Sequence, residues 1–134
     1  MIFLFFSSLF ITVSAFSPTE LEIAELSKSL IKNITDAIAH RDMILLEKYV
    51  DSSFVFVDCA AQITRANWLN NRVNEKDKKM VYSGSKWTRT GFQFRVGETA
   101  GMAGVSYQAM AVRQPDHTHV LIHGRLDPGF CIYQ

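Results

Sequence analysis

The run from His40 to Cys59, HRDMILLEKYVDSSFVFVDC, constrains the fold more than any other stretch of the chain. Its apolar residues change spacing in mid-course. Leu45, Leu46, Tyr49 and Val50 recur at helical intervals, with Asp42 placed to cap the helix. From Ser53 to Cys59 the pattern becomes that of a strand: Phe54, Phe56 and Asp58 point one way, and Val55, Val57 and Cys59 the other. Asp51-Ser52 is the break between the two. A short helix must therefore turn straight onto a sheet. Both sides of the strand are mostly apolar, which predicts cover on both faces and leaves Asp58 ending a buried apolar row.

What precedes this corner reads as one long helix. Ser17-Pro18-Thr19-Glu20 combines a cap, a proline at the first helical position and the acid of a capping box. Ile23, Leu30, Ile34 and Ile38 then share a narrow arc, with Leu26 and Ala37 at its margins and Lys28, Lys32 and Asp36 away from it. The helix is expected to end near Ala39. After the corner, Ala60 to Ile63 suggests a turn and a short return strand, and Thr64 caps a third helix with Trp68, Leu69 and Val73 inward. Asn74 to Lys79 mixes charges without an apolar face and reads as a solvated connection. From Met80 onward the period moves towards two: Phe92, Phe94 and Val96 alternate with Gln93 and Arg95, and Val120, Ile122, Gly124 and Leu126 with their neighbours. Gly97 to Gly101, Arg113 to Asp116 and Asp127 to Gly129 read as turns, and Phe130 to Tyr133 as a last strand. Between them, Met102 to Val112 is a long apolar run whose glycines and alanines permit close approach. Helices gathered before strands argue for an α+β domain with helices on one face of an antiparallel sheet.

Residues 2–13 form an uncharged apolar run, and Val13-Ser14-Ala15 supplies the small residues of a cleavage site. The run is shorter than the roughly 20 residues of a membrane span. Residues 1–15 are accordingly expected to be a signal peptide, and 16–134 a single secreted domain, extracellular and with no membrane attachment once the signal is removed. The formal net charge is +1 with the basic residues scattered, which argues against a nucleic-acid partner. The chain has two cysteines, Cys59 and Cys131. They are either free thiols or one disulfide closing a long loop, worth about 4 kcal/mol in the chain-entropy model, and an oxidising destination favours the bond. Asn33-Ile34-Thr35 is a glycosylation sequon at the border of the first helix's apolar stripe.

The element order, and the passage from Ala39 to Cys59, resemble the nuclear-transport-factor-2-like superfamily, with its SnoaL-like and ketosteroid-isomerase-like domains. Ala39-His40-Arg41-Asp42 resembles the end of that family's long helix, Leu46 and Tyr49 its second helix, and Phe54-Val55-Phe56-Val57-Asp58 its first strand. Val96-Gly97-Glu98-Thr99-Ala100 resembles a hairpin frequent in the family, and Gly129-Phe130-Cys131-Ile132 its closing strand. The resemblance implies a curved antiparallel sheet wrapped around N-terminal helices, a cystatin-like cone whose open end can hold a ligand. It also implies that the first and last strands lie near each other, which would bring Cys59 and Cys131 together. Homodimers formed through the sheet are common for this fold, and the secreted setting resembles small extracellular members found in nematodes.

In isomerase-type members an acid near the end of the first strand serves as general base, a role the resemblance would give to Asp58. The tyrosine such members carry on the first helix is absent, since Ile34 and Ile38 stand there, and no second pocket acid is evident on the later strands. Phe54, Phe56, Trp68, Phe92, Phe94 and Tyr107 are the candidate pocket liners, with core packing as the plainer role for aromatics at these spacings. His117, His119 and His123 share one face of a regular strand, but about 20 Å separates the outer two, too far for one metal. No phosphate loop, nucleophile elbow or paired carboxylates are found, and no metal or cofactor is expected. The reading is a secreted, non-enzymatic cone domain for a small apolar ligand or a protein partner. Its alternatives are an isomerase, lyase or hydrolase using Asp58, and a structural dimerisation module.

Overall fold

The computed structural model describes residues 20–75, 78–100 and 103–131. The signal segment and the Ser17 cap lie outside the described residues. Helix α1 spans Glu20–Ala39 and buries Ile23, Ser27, Leu30, Ile31, Ile34 and Ala37. The buried stripe is thus centred nearer Ile31 and Ala37 than expected, and Ile38 and Leu26 sit half-buried at its edge. Ser27 is tolerated inside because its hydroxyl donates to the Ile23 carbonyl at 2.7 Å.

Helix α2, Met43–Lys48, begins at Asp42, whose carboxylate accepts from the Leu45 amide at 3.0 Å. Strand β1 follows at once, Val50–Asp58, three residues earlier than the sequence suggested. Arg65 ties the corner together: its guanidinium donates to the carbonyls of Glu47, near the end of the helix, and Val50, the first residue of the strand. Cys59 and Ala60 turn the chain into β2, Ala61–Thr64, with Cys59 in the left-handed region at φ 56°. Thr64 caps α3, Arg65–Asn74, by accepting from the Asn67 amide at 3.3 Å. The remaining strands are β3 (Lys78–Trp87), β4 (Gly91–Ala100), β5 (Ala103–Arg113) and β6 (His119–Leu126), and a 3-10 turn covers Pro128–Phe130.

The six strands form one curved, unclosed sheet in the order β2-β1-β6-β5-β4-β3. All neighbours are antiparallel except β1 and β6, which run parallel, so the sheet is mixed rather than purely antiparallel. The α+β cone is otherwise as expected, with α1 lying against β3 and the other two helices. Its core is built by large–small pairing across β4 and β5: Phe92 opposes Ala111, and Phe94 opposes Ala109. Gly124 serves the same end under β1, where an added Cβ would lie 2.5 Å from the Phe56 ring.

Four local expectations fail. Gly97 to Ala100 is not a turn, and Gly101 lies outside the described residues; β4 continues to Ala100, paired on both sides, because the alternation that turns Phe92, Phe94 and Val96 inward carries on to Glu98. The Asn74–Lys79 connection is not wholly solvated, since Glu75 and Lys78 are half-buried and ion-paired at 2.8 Å. Phe130 closes the 3-10 turn that begins at Pro128 and does not open a strand, while the rest of the expected last strand, residues 132–134, lies outside the described residues. The second face of β1 is not covered: Val55 and Val57 are only half-buried because β1 lies in a single sheet with helices on one side.

Candidate functional site

Helix α3 presents Trp68, Leu69 and Arg72 to the interior. Arg72 lies four residues after Trp68, so the helix period puts a guanidinium on the apolar face. It is tolerated there because it is paired. Arg72 Nη1 donates to Glu98 Oε1, with the two side chains only 9% and 4% exposed, and Glu75 Oε2 lies 3.6 Å from the same nitrogen. The guanidinium also lies over the rings of Trp68 and Tyr107, 5.1 and 5.6 Å from their centroids.

Two hollows at this end of the sheet share Arg72, Glu75 and Glu98 as wall. One, of about 290 Å³, is lined by Phe56, Trp68, Val105, Tyr107 and Leu126 on its apolar side and by Asp58 and Asn71 on its polar side. The other, of about 310 Å³, lies under the end of α1 and includes Thr35, Ile38, Arg41, Lys78 and Met80. Several buried polar atoms here lack a hydrogen-bond partner among the described residues: Trp68 Nε1, Tyr107 OH, Glu75 Oε2 and Thr35 Oγ1. Native interiors rarely leave such groups open, each costing about 1–3 kcal/mol. Burial pushes the Tyr107 phenol above its ordinary value; Arg72 acts against that shift and Glu75 adds to it. The phenol is therefore a proton donor at neutral pH. Trp68, Tyr107 and Phe56 line the first hollow together with Asp58, Glu75 and Glu98, so aromatic surface and acidic groups share one wall.

The sequence candidates divide between this site and the core. Phe56, Trp68, Tyr107 and Asp58 all line the first hollow. Phe54, Phe92 and Phe94 are buried in the core cluster, Phe54 against Trp68 with ring centroids 4.9 Å apart, and none of the three lines that hollow. Arg72, Glu75 and Glu98 were missed. The helix period carried the signal for Arg72, four residues after Trp68, whereas Glu98 was missed because residues 97–101 read as a turn although the alternation from Phe92 runs on to it. The expectation of no second pocket acid on the later strands is corrected by Glu98 on β4, and Glu75, after α3, lines the same hollow.

Cys59 and Cys131 form a disulfide with Cα atoms 5.5 Å apart. Asn33 is half-buried on α1. His119 and His123 do not share a face. His119 pairs with Arg113 on the inward side, a register shift follows in β6, and His123 then opposes outward-facing Met110. Among the described residues no group of three or more His, Cys, Asp or Glu side chains is placed to share a metal ion. No helix among them is long and apolar enough to cross a membrane.

No protein-family profile and no curated protein matches this sequence. The fold, in contrast, is shared with many solved structures. A nuclear-transport-factor-2-like protein of unknown function from Silicibacter pomeroyi superposes with a TM-score of 0.63 at 12% identity, over 81% of this chain and 98% of that one. A candidate ketosteroid isomerase from Shewanella frigidimarina gives 0.57 at 8% identity, over 78% and 97%. A de novo designed protein with a curved β-sheet gives 0.59 at 7% identity, over 75% and 97%. The chain has the nuclear-transport-factor-2-like cone fold.

Proposed function

We propose that this protein is a secreted binding domain whose hollow beside Arg72 takes a small molecule with an apolar body and one hydroxyl or carbonyl oxygen. The observation that carries the reading is the pair of unpartnered buried donors, Trp68 Nε1 and Tyr107 OH, on two residues that line the hollow. A bound oxygen would satisfy both, and the Phe56 and Leu126 side would accept the apolar remainder. The ligand is thus less purely apolar than the sequence suggested. Secretion is supported by the disulfide and by the apolar leader.

Native mass spectrometry of the protein recovered from culture medium tests both parts. The expected polypeptide begins at Phe16 and carries a small-molecule adduct that Tyr107→Phe weakens. Protein without any adduct, whose Trp68 indole resonance ignores a panel of small alcohols and ketones, would sink the binding reading. A polypeptide retained in cells with residues 1–15 intact would sink secretion.

A second reading rests on Asp58 lining the same hollow as the Tyr107 phenol. A carboxylate base and a neutral phenolic donor facing one substrate is an arrangement that can move a proton beside a carbonyl. Asp58→Asn separates the readings: it abolishes turnover if Asp58 is the base and leaves simple binding in place if it is not.

A further inference from the structure

The opposite end of the sheet carries a different charge pattern. There the β3–β4 turn, the end of β5 and the start of β6 enclose a hollow of about 440 Å³ with Leu26 of α1. Its wall holds Arg89, Arg113, His117 and His119, the hydroxyl residues Thr88 and Thr90, and the partly exposed ring of Trp87, with no acidic side chain. Arg113 contacts Nδ1 of His117, and neither Arg89 nor Arg113 has a carboxylate partner among the described residues. Asp116, in the same turn as His117, is engaged with Thr118, accepting from its amide at 3.1 Å and its hydroxyl at 2.6 Å. On α1, Glu22 makes an interaction of its own, and neither Glu22 nor Glu25 lines the hollow.

Two guanidiniums converging on one recess without an acid leave a positive potential that an oxyanion would neutralise. The rest of the wall adds selectivity. Trp87 stands edge-on to Phe92 at 6.4 Å between centroids, and Phe92 in turn lies 5.2 Å from the His119 ring, so aromatic surface adjoins the charges. We propose that this end of the sheet is a second binding site, for a small oxyanion (carboxylate, phosphate or sulfate) that carries an apolar group. The charge meets Arg89, Arg113 and His119, while the apolar part rests on Trp87 and Leu26. His119 supports the assignment, because burial and then the neighbouring Arg113 hold its imidazole below the usual histidine value. An anion in the recess would oppose both effects and draw a proton onto His119.

Titrating the isotope-labelled protein with phenyl phosphate, and separately with inorganic phosphate, tests this by NMR. Phenyl phosphate is expected to shift the Trp87 indole and the Arg89 and Arg113 side-chain N–H signals, and to bind more tightly than phosphate alone. Saturation should raise the His119 pKa. The double variant R89Q/R113Q should lose about tenfold or more in affinity, since each charge-assisted hydrogen bond is worth at least that factor. R125Q, on the exposed opposite end of β6, should bind as the wild type does. Phosphatidylcholine vesicles carrying phosphatidic acid form the second arm. Co-sedimentation that R89Q/R113Q abolishes assigns the oxyanion to a lipid headgroup, and phenyl phosphate binding without co-sedimentation assigns it to a free molecule. No shift at millimolar phenyl phosphate, or equal affinity in R89Q/R113Q, would overturn the site.

Discussion

Arg72→Met is the most informative single change in this chain. It keeps an unbranched apolar stem against Trp68 and Tyr107 but removes the charge. Glu75 loses the Arg72 contact of its Oε2 but retains Lys78 on Oε1 at 2.8 Å, so the group left with no partner at all is Glu98, only 4% exposed and bonded through its side chain to Arg72 alone among the described residues. Breaking a buried pair from one side costs about 3–5 kcal/mol. That is a large share of the roughly 5–15 kcal/mol that holds a domain together. Urea unfolding at neutral pH, disulfide intact, should register the loss, and the melting temperature should drop by on the order of 10–20 °C.

Two further measurements tie the loss to the charge. In Arg72→Met, burial without a partner raises the Glu98 pKa above its unfolded value. The folded state then binds the extra proton, so the variant's stability is greatest below the unfolded glutamate pKa. It falls as pH rises through the folded one. Adding Glu98→Leu removes the stranded acid and should return neutral-pH stability to within about 1–2 kcal/mol of wild type, or above it. A single variant as stable as wild type at neutral pH, or a double variant no better than the single, would refute the buried-pair argument.

Other changes probe the remaining elements. Tyr107→Phe removes an unpartnered buried hydroxyl and should stabilise the ligand-free protein by about 1 kcal/mol while weakening ligand binding, measured by paired melts with and without ligand. Replacing Cys59 and Cys131 together by serine opens a loop spanning 72 positions in sequence and should cost about 4 kcal/mol in the chain-entropy model, read from denaturant midpoints. Gly91→Ala would set a Cβ 2.0 Å from the Ala111 carbonyl oxygen, whereas Gly97→Ala meets nothing nearer than 3.8 Å. The first should destabilise by about 1–3 kcal/mol and exceed the second. For His119, Arg113→Gln removes one cause of the lowered pKa and should raise it in an NMR titration. The sign for stability follows: the fold prefers neutral His119, so its contribution is present at higher pH and lost as pH falls through the folded pKa.

The helices, the strands over 53–58 and 91–96, and the two caps at Asp42 and Thr64 were legible because each rests on local pattern. The β1–β6 parallel pairing was not, since nothing local to either strand records which distant strand will lie beside it. The site was half legible. Phe56, Asp58, Trp68 and Tyr107 were singled out as aromatic or acidic residues on inward faces. Arg72 and Glu98 sat on those same faces, at Trp68 plus four and Val96 plus two, and the period alone would have placed them there. Glu98 was passed over because the glycines around it read as a turn, and neither charge can be placed inside from sequence without its partner in view. Theirs lie 26 positions apart in sequence, on a helix and a strand. The same limit applied to His119 and His123, which a register shift in β6 turns to opposite faces.

The disulfide bears on the site as well as on stability. Asp58, on the cavity wall, is bonded in sequence to Cys59, and Cys59 is held in a left-handed backbone conformation that costs a non-glycine residue about 1–3 kcal/mol. Leu126 lines the same hollow and leads through the 3-10 turn to Cys131. The bond therefore joins two segments that each end in a wall residue, and Asp127 reinforces the second by donating its amide to the Ser106 carbonyl at 3.0 Å. Reduction should then loosen the wall before it unfolds the domain. Ligand affinity should fall on adding reductant at denaturant concentrations where far-ultraviolet dichroism is unchanged. An affinity that declines only in step with the dichroism would mean that the bond stabilises the fold and leaves the wall alone.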